Sequence, residues 1–183
     1  MSHNLEEKEL IAQLQNEKTR AKSFEILVDL YQKRLYWHIR RIVISHDDAD
    51  DVLQETFIKI FRSIEKFKGE SSLFSWIYRI ATNQSFDFLR SKANENHCTI
   101  EDLQYDRSSH LQADVYFEGD EIQQKFQQAI ATLPEKQQLV FNMKYFEELK
   151  YEEISEVLGT SVGALKASYH HAVQKIKNYL ENH

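Results

Sequence analysis

The chain has 183 residues and a net charge of −6, with four glycines, one proline and one cysteine. So few turn formers argue against sheets joined by tight turns, and a single cysteine excludes an internal disulfide. We therefore expect an all-α protein in a reducing cytoplasm. No segment approaches the roughly 20 apolar residues that cross a bilayer, and no signal peptide is evident, which predicts a soluble chain that does not insert into the membrane.

The first half opens with a polar lead-in, residues 1–20, whose apolar positions predict a short helix without an assigned function. An amphipathic helix follows from Ala21 to Ile44, because its apolar residues repeat with the helical period. Four cations lie on its other faces, where we expect them in solvent: Lys33, Arg34, Arg40 and Arg41.

The next helix begins with the acidic run DDADD, residues 47–51. Its predicted buried stripe is Leu53, Phe57, Ile60, Ile64 and Phe67. Asp47 or Asp48 would cap the helix and favour the positive end of its dipole. Capping does not explain the polar residues that follow on the same helix, and these would suit a basic partner: Asp50, Asp51, Gln54 and Glu55. A magnesium site is the alternative interpretation, but no second acidic cluster on a facing helix is evident, so no metal or other cofactor is predicted.

The stretch FKGESSLF, residues 67–74, predicts a loop, because Gly69 breaks the helix and Ser71 or Ser72 starts another. In that second helix the inward residues are Leu73, Ile77 and Ile80. A different face carries Arg79, Asn83, Phe86 and Arg90. Cationic, amide and aromatic groups on one face suit unpaired nucleic acid. Trp76, Tyr78 and Phe86 are candidates for stacking on bases, although aromatic side chains on a helix more often belong to the core.

The segments DADDVLQETFIKIFRSIEKF, FKGESSLF and SWIYRIATNQSFDFLR together resemble region 2 of the bacterial sigma-70 family, in its extracytoplasmic-function (ECF) group. The resemblance implies that a group of polar residues on the first helix binds a coiled coil of core RNA polymerase: Asp50, Asp51, Gln54 and Glu55. It also implies that the loop takes up a base flipped out of the melted minus-ten element. Asn83 is the best candidate for the base edge, because its amide both donates and accepts. The predicted minus-ten contacts are Lys68, Ser71, Ser72, Arg79 and Asn83.

Helical periodicity disappears from 93 to 120, where seven Asp and Glu residues stand against one Arg. This composition predicts a flexible acidic linker and only loose docking between the modules on either side. With the acid concentrated here, both modules are close to neutral, so we expect weak binding to DNA by the chain alone. In the resembled family, such linkers run through the cationic RNA exit path of the polymerase.

Order returns at Glu121 with an amphipathic helix, after which Thr132-Leu-Pro-Glu135 predicts a capping box for the next. A short helix over 151–158, a turn at 159–161 and a long helix over 162–180 match a helix-turn-helix. The inward stripe of the long helix is Leu165, Tyr169, Ala172 or Val173, Ile176 and Leu180. Its outward residues and the turn supply the predicted contacts to duplex DNA: Ser161, Gly163, Lys166, Ala167, His170 and His171.

The pattern L-P-E-K-Q-x-x-V-F and the segment Y-x-E-I-S-E-V-L-G-T-S-V-G-A-L-K-A-S resemble sigma region 4, which reads the minus-thirty-five element. Many relatives carry arginines along the recognition helix, but this chain has Lys166, His170 and His171 instead. Fewer guanidinium forks predict weaker phosphate affinity and less reading of guanine. Adjacent helix positions point about 100° apart and rarely chelate one ion, so we expect no metal at the two histidines.

These patterns predict a lead-in at 1–20, a sigma region 2 helical bundle at 21–92, a linker at 93–120 and a region 4 helix-turn-helix at 121–183. The implied function is that of an ECF sigma factor, which directs core RNA polymerase to promoters and is not an enzyme. The resemblance also implies an anti-sigma factor as partner, often membrane-bound. The alternatives are a stand-alone regulator that binds duplex DNA and a magnesium-dependent helical enzyme.

Overall fold

The computed structural model describes residues 2–109 and 121–182, with side chains for 6–106 and 121–182. Within these ranges all regular secondary structure is helical, which confirms the all-α prediction. The α-helices are α1 (Ser2–Gln15), α2 (Arg20–Val43), α3 (His46–Ser63), α4 (Leu73–Asn96), α5 (Ile100–Ser109), α6 (Glu121–Ala131), α7 (Glu135–Tyr145), α8 (Tyr151–Leu158) and α9 (Val162–Asn182). A single 3₁₀ turn, Ile64–Lys66, follows α3.

Helices α1 to α4 form the N-terminal module, in which α2, α3 and α4 pack against one another. Its fully buried side chains include Leu27, Leu35, Ile39, Ile60, Ile77 and Leu89. The lead-in helix α1 joins this core through Leu14, which is fully buried. The Gln15 amide donates to the carbonyl oxygens of Ile64 at 3.2 Å and Phe67 at 2.7 Å. The predicted lead-in helix is thus an integral part of the packing.

Helix α2 is central, since it contacts α1, α3, α4 and α7. Its solvent face carries Lys33 and Arg34, as predicted, but one expectation is corrected. Arg40, predicted on a solvated face, is only 8% exposed. His38, a polar residue on the apolar face of α2, is buried as well.

The buried face of α3 is rotated relative to the predicted stripe. The side chains that it buries include Ala49, Val52, Thr56 and Ile60. Leu53 and Phe57 lie at the edge of the core and are only half-buried. Thr56 tolerates burial because its hydroxyl donates to the carbonyl of Val52 at 2.7 Å. The polar hydroxyl therefore hides a core position from a purely apolar pattern.

The prediction that Asp47 or Asp48 caps α3 is wrong, because the helix begins earlier, at His46. Its N-cap is Ser45, whose Oγ accepts a hydrogen bond from the backbone N–H of Asp48 at 3.4 Å. Asp48 is buried instead, and its Oδ1 accepts from Lys92 Nζ at 2.5 Å. In α4 the N-cap is Ser72, one of the two predicted residues, whose Oγ accepts from Ser75 N at 3.1 Å.

Part of the predicted linker is helical, which corrects the expectation of an irregular segment from 93 to 109. Helix α4 continues to Asn96, and α5 follows after a capping box in which Thr99 Oγ1 accepts from Asp102 N at 3.1 Å and Asp102 Oδ2 accepts from Thr99 N at 3.2 Å. Gln104 is buried, and its amide donates to the carbonyl of Ile42 at 2.7 Å. One cap and a few tertiary contacts thus hold a helix whose composition is that of a loop. The remainder, 110–120, lies outside the described residues.

Helices α6 to α9 form the C-terminal module. A buried cluster holds α6, α7 and α9 together: Ala129, Ile130, Leu133, Phe141, Ala172 and Ile176. The predicted helix-turn-helix is confirmed as α8, a turn with Gly159 at φ +64°, and α9. In α9, however, Leu180 and Val173 are more than a third exposed, so Ala172 takes the inward position.

The capping box predicted at 132–135 is wrong. Pro134 occupies the N-cap position of α7, and its side chain makes no capping hydrogen bond. The Thr132 hydroxyl donates back to the carbonyl of Ala129 at 2.7 Å, at the end of α6.

The two modules pack against each other, in contrast to the expected loose docking. Helix α8 lies on α4, and α7 contacts α2. Val140, Ile154 and Val157 of the C-terminal module belong to the same buried apolar cluster as the core of the N-terminal module. The length of the segment that connects the modules opposes such packing only weakly, because the entropy of loop closure grows slowly with the number of residues in the loop.

Candidate functional site

The predicted acidic surface lies on the exposed side of α3. Asp51, Gln54 and Glu55 are all exposed. Asp50 is half-buried, and its Oδ2 lies 3.5 Å from Nε2 of His46, one turn earlier. The structure thus places all four predicted residues along one helix, three of them open to a partner.

A groove of about 440 Å³ runs between α3 and α4 beside this surface. Asp51, Gln54 and Glu55 line it from α3, whereas Gln84, Asp87 and Phe88 line it from α4. Asp87 adds a third carboxylate, although its Oδ1 also accepts from Arg90 Nη1 at 3.1 Å. Sequence reasoning missed these α4 residues, because only the packing of the two helices brings them to the acidic surface.

The predicted minus-ten residues are divided between the loop before α4 and the exposed face of α4. Lys68 is exposed in the loop, and Ser71 and Ser72 are half-buried. Arg79 and Asn83 are exposed and line a cavity of about 480 Å³ between the modules. The structure therefore brings Arg79 and Asn83 together beside α4, with part of their surroundings supplied by the C-terminal module.

The three aromatic candidates for base stacking have different environments. Tyr78 is fully buried. Trp76 is half-buried, with its ring centroid 5.0 Å from that of Phe67, so it contributes to the core. Phe86 is 4% exposed and lines the same cavity as Asn83.

The predicted duplex-binding residues form one exposed surface around the start of α9. The exposed members are Ser161, Gly163, Lys166, Ala167, His170 and His171. Ser161 Oγ accepts from the backbone N–H of Ala164 at 3.4 Å, which stabilises the first turn of α9. The rings of His170 and His171 lie 5.9 Å apart between centroids. Lys166 is the one Lys or Arg in this predicted set.

A buried polar network, which sequence reasoning missed, joins the modules. His38 Nδ1 lies 2.8 Å from Oε1 of Glu147, in the segment between α7 and α8, and His38 Nε2 lies 2.8 Å from Thr82 Oγ1. The side chains of His38 and Glu147 are only 1% and 6% exposed. Burial, together with the charge of Glu147, raises the pKa of Tyr78, whereas burial lowers the pKa of Arg41. The sequence offered one signal for this network, a histidine on the apolar face of α2. It did not reveal the partner, Glu147, which lies 109 residues away.

Two family models match this chain in the order in which the two modules occur. Sigma-70 region 2 matches residues 27–95, and sigma-70 region 4 matches residues 123–176. The ECF RNA polymerase sigma-E factor of Haemophilus influenzae is 33% identical over 168 residues, which cover 87% of this chain and 88% of the relative. This chain belongs to the sigma-70 family. It is an RNA polymerase sigma factor of the ECF group, a transcription initiation factor and not an enzyme.

Further relatives cover almost the whole sigma factor. The RNA polymerase sigma-H factor of Pseudomonas aeruginosa is 30% identical over 96% of this chain and 94% of its own. The solved structure of CnrH, in complex with the cytosolic domain of CnrY, has the same fold, with a TM-score of 0.71, 19% identity, and coverage of 96% of this chain and 97% of that one. A stand-alone regulator is not favoured, because the relatives match both modules. Within the described ranges, no helix has the length and apolarity that a bilayer span requires.

Proposed function

We propose that this sigma factor uses three separate surfaces. The acidic face of α3 binds core RNA polymerase, the loop before α4 and the exposed face of α4 read the melted minus-ten element, and α9 reads the duplex minus-thirty-five element. The proposal rests chiefly on the exposure of Asp51, Gln54 and Glu55 together, beside a groove that adds a carboxylate from α4.

The chemistry of the α3 surface supports a basic partner. Asp51 and Glu55 are one turn apart with like charge, which costs a helix about 0.2–0.5 kcal/mol when no cation is near. Lys59, the nearest cation along α3, donates instead to Gln84 Oε1 at 2.5 Å. A lysine or arginine from the polymerase would relieve the repulsion, and Gln54 would add an amide that donates and accepts.

The surface on α4 supports contact with an unpaired base. Asn83 presents an amide at the mouth of a cavity that also contains the side chains of Thr82 and Phe86. Taking a base out of the stack costs a few kcal/mol, which hydrogen bonds to its edge offset. Arg79 and Lys68 would contact the backbone of the same strand.

The α9 surface supports weak reading of duplex DNA. With Lys166 as its single Lys or Arg, this surface neutralises few phosphates. Its affinity becomes sufficient when the other module and the polymerase already hold the promoter, because tethering raises the effective concentration. Specific promoter recognition therefore depends on the holoenzyme.

We further propose the division of the chain into a region 2 domain at 21–92 and a region 4 domain at 121–183, connected through 93–120. The sigma factor would act in the cytoplasm, where core polymerase works. An anti-sigma factor is the expected regulator. CnrH was solved with the cytosolic domain of CnrY, and RpoE of Bartonella quintana with the anti-sigma factor NepR, which supports a partner of this kind.

Run-off transcription with purified core polymerase tests the assignment, on a promoter upstream of the protein's own operon. We expect Asp51→Ala/Gln54→Ala/Glu55→Ala to lose at least tenfold in affinity for core, and Asn83→Ala to bind core normally but open the promoter poorly. The matched control is Glu25→Ala/Asp29→Ala, which removes two exposed acids one turn apart on α2. If the triple variant binds core as tightly as this control, the docking surface is elsewhere.

A further inference from the structure

The lead-in helix α1 lies against the loop that precedes α4, which we call the capture loop and define as residues 67–72. Leu14 anchors the end of α1, since its side chain is fully buried. Arg20, the first residue of α2, donates through Nε to the carbonyl of Leu14 at 3.1 Å and forms an ion pair with Glu65 in the 3₁₀ turn. The end of α1 is therefore fixed relative to the chain that enters the capture loop.

Gln15 holds the first residue of the capture loop. Its Nε2 donates to the carbonyl oxygens of Phe67 at 2.7 Å and Ile64 at 3.2 Å. A side-chain amide has two N–H donors, which matches these two acceptors. The N–H of Phe67 in turn donates to the carbonyl of Ile64 at 3.1 Å, and the Phe67 side chain is buried. One amide thus joins the 3₁₀ turn to the start of the loop.

Glu7 holds the other end of the capture loop. Its Oε1 accepts a hydrogen bond from the backbone N–H of Leu73, the first residue of α4, at 3.0 Å. The first N–H groups of a helix have no partner within the helix, and a carboxylate beside them also favours the positive end of the helix dipole. Burial and the charge of Glu7 raise the pKa of Tyr31, which places the same carboxylate close to α2.

Between these two holds the capture loop is open to solvent. Lys68, Gly69 and Glu70 are exposed, and Gly69 has φ +71°, a left-handed conformation that glycine adopts without strain. An exposed segment that contains glycine loses conformational freedom when it takes up a base. Fixing both ends of the loop beforehand removes part of that cost.

We infer that Glu7 and Gln15 are positioning residues for base capture: α1 holds both ends of the capture loop in the conformation that receives the flipped minus-ten base. This inference rests on the proposed assignment of the loop and Asn83 to the minus-ten strand. Neither side chain on α1 touches the base. When the loop leaves the receptive conformation, the apparent affinity for the base falls in proportion to the fraction of loops that keep it. The lead-in helix thus contributes to promoter selectivity.

The first measurement follows the mobility of the capture loop in the full-length chain. A nitroxide on Glu70→Cys, in a Cys98→Ser background, reports this mobility through its electron paramagnetic resonance line shape. We expect Glu7→Ala and Gln15→Met each to narrow the lines, because each removes the hold on one end of the loop. Glu7→Gln should keep the wild-type line shape, since its amide oxygen still accepts from the N–H of Leu73.

The second measurement follows base preference in the holoenzyme, assembled with purified core polymerase on the promoter upstream of the protein's own operon. Each minus-ten position is changed to the other three bases, and run-off transcription gives the preference at that position. The captured position is the one at which Asn83→Ala reduces the preference. There Glu7→Ala and Gln15→Met should each reduce it about threefold to tenfold, the factor that loss of one hydrogen bond gives. A merely structural role of α1 would instead lower initiation on all promoter variants alike.

Glu9→Ala is the matched control, because it removes an exposed carboxylate from another face of α1. It should leave the line shape and the base preference unchanged, as should Glu7→Gln. All variants should bind core polymerase with the same affinity to within about twofold, since none changes the acidic face of α3.

The inference is overturned if wild type, Glu7→Ala and Gln15→Met give the same line shape, or if a loosened loop leaves the base preference unchanged. The effect of Asn83→Ala separates this failure from failure of the proposed function. A loss of preference in Asn83→Ala, with no effect of either α1 variant, retains the minus-ten assignment and rejects the positioning role. If Asn83→Ala alters the preference at no position, the minus-ten assignment itself fails, and the positioning role fails with it.

Discussion

The buried His38–Glu147 pair offers a sharp test of how the modules are held together. The hydroxyl of Thr82 donates to the carbonyl of Tyr78 at 2.7 Å, so its oxygen is left to accept from His38 Nε2. The other ring nitrogen, Nδ1, faces a carboxylate oxygen of Glu147 at 2.8 Å. A proton must lie between these two atoms, because neither a bare nitrogen nor a bare oxygen can donate.

His38→Leu removes both hydrogen bonds while roughly preserving volume. The bond to Thr82 contributes about 0.5–1.5 kcal/mol and the charged bond about 1.5–3 kcal/mol. Glu147 then loses its histidine partner in a site where its side chain is 6% exposed, with Arg41 and Tyr78 as its remaining neighbours. Breaking a buried pair in this way costs about 3–5 kcal/mol, so we expect a loss of that size in the free energy that holds the modules together.

Urea denaturation, followed by tryptophan fluorescence and by far-UV circular dichroism, measures this loss. Energy transfer between fluorescent labels on Asp29→Cys and Asn178→Cys, in a Cys98→Ser background, shows whether the modules separate before they unfold. The double variant His38→Leu/Glu147→Leu should recover most of the stability, because apolar side chains often replace a buried pair at little cost. Additive losses in the double-mutant cycle, or a loss below about 1 kcal/mol for His38→Leu, would refute a direct buried coupling.

Four further outcomes follow from other parts of the structure. Hydrogen bonding from the Ser75 hydroxyl lowers the pKa of Glu156. The contact of Glu156 with Ser72 and Ser75 is therefore fully present above the ordinary glutamate pKa of about 4.3 and is lost as pH falls through the lowered pKa. Energy transfer between fluorescent labels on the two modules should change over that pH range in wild type and not in Glu156→Gln. Thr99→Val should remove the α5 cap and speed amide exchange in 100–106 relative to α4. Ile154→Ala, at a fully buried position, should lower the free energy of unfolding by about 2–5 kcal/mol in urea titration. Lys166→Ala should weaken holoenzyme binding to all duplexes alike and reduce the salt slope by about 1, and a change confined to one base pair would contradict a phosphate contact.

Local patterns in the sequence predicted most of the secondary structure. Helical periodicity and scarce glycine and proline indicated an all-α chain, and the turn at Gly159 fitted a helix-turn-helix because a left-handed residue there favours glycine. Outward positions on α9, such as Lys166 and His170, followed from the same periodicity. These features depend on neighbours within a turn or two, which a sequence displays directly.

Local patterns did not predict which polar side chains are buried in the core. Thr56 and His38 are buried, yet neither interrupts the helices around it, because each satisfies its hydrogen bonds locally or across the interface. The cap of α5 at Thr99 was equally hidden within an acidic segment. Burial of a polar side chain depends on its partners, and those partners are known only from the fold.

The sequence by itself determined most of the helices, the two modules and the polar faces that suggest polymerase and promoter. Only the tertiary structure decided that the modules close on each other, that Asp87 joins the acidic groove, and that Glu156 engages Ser72 and Arg79. The physical reason is the separation along the chain of the residues that make each contact. Helix periodicity reflects contacts three or four residues apart, whereas these contacts join residues more than 30 positions apart, and in the case of Glu156 more than 70, so they arise only when packing brings distant helices together.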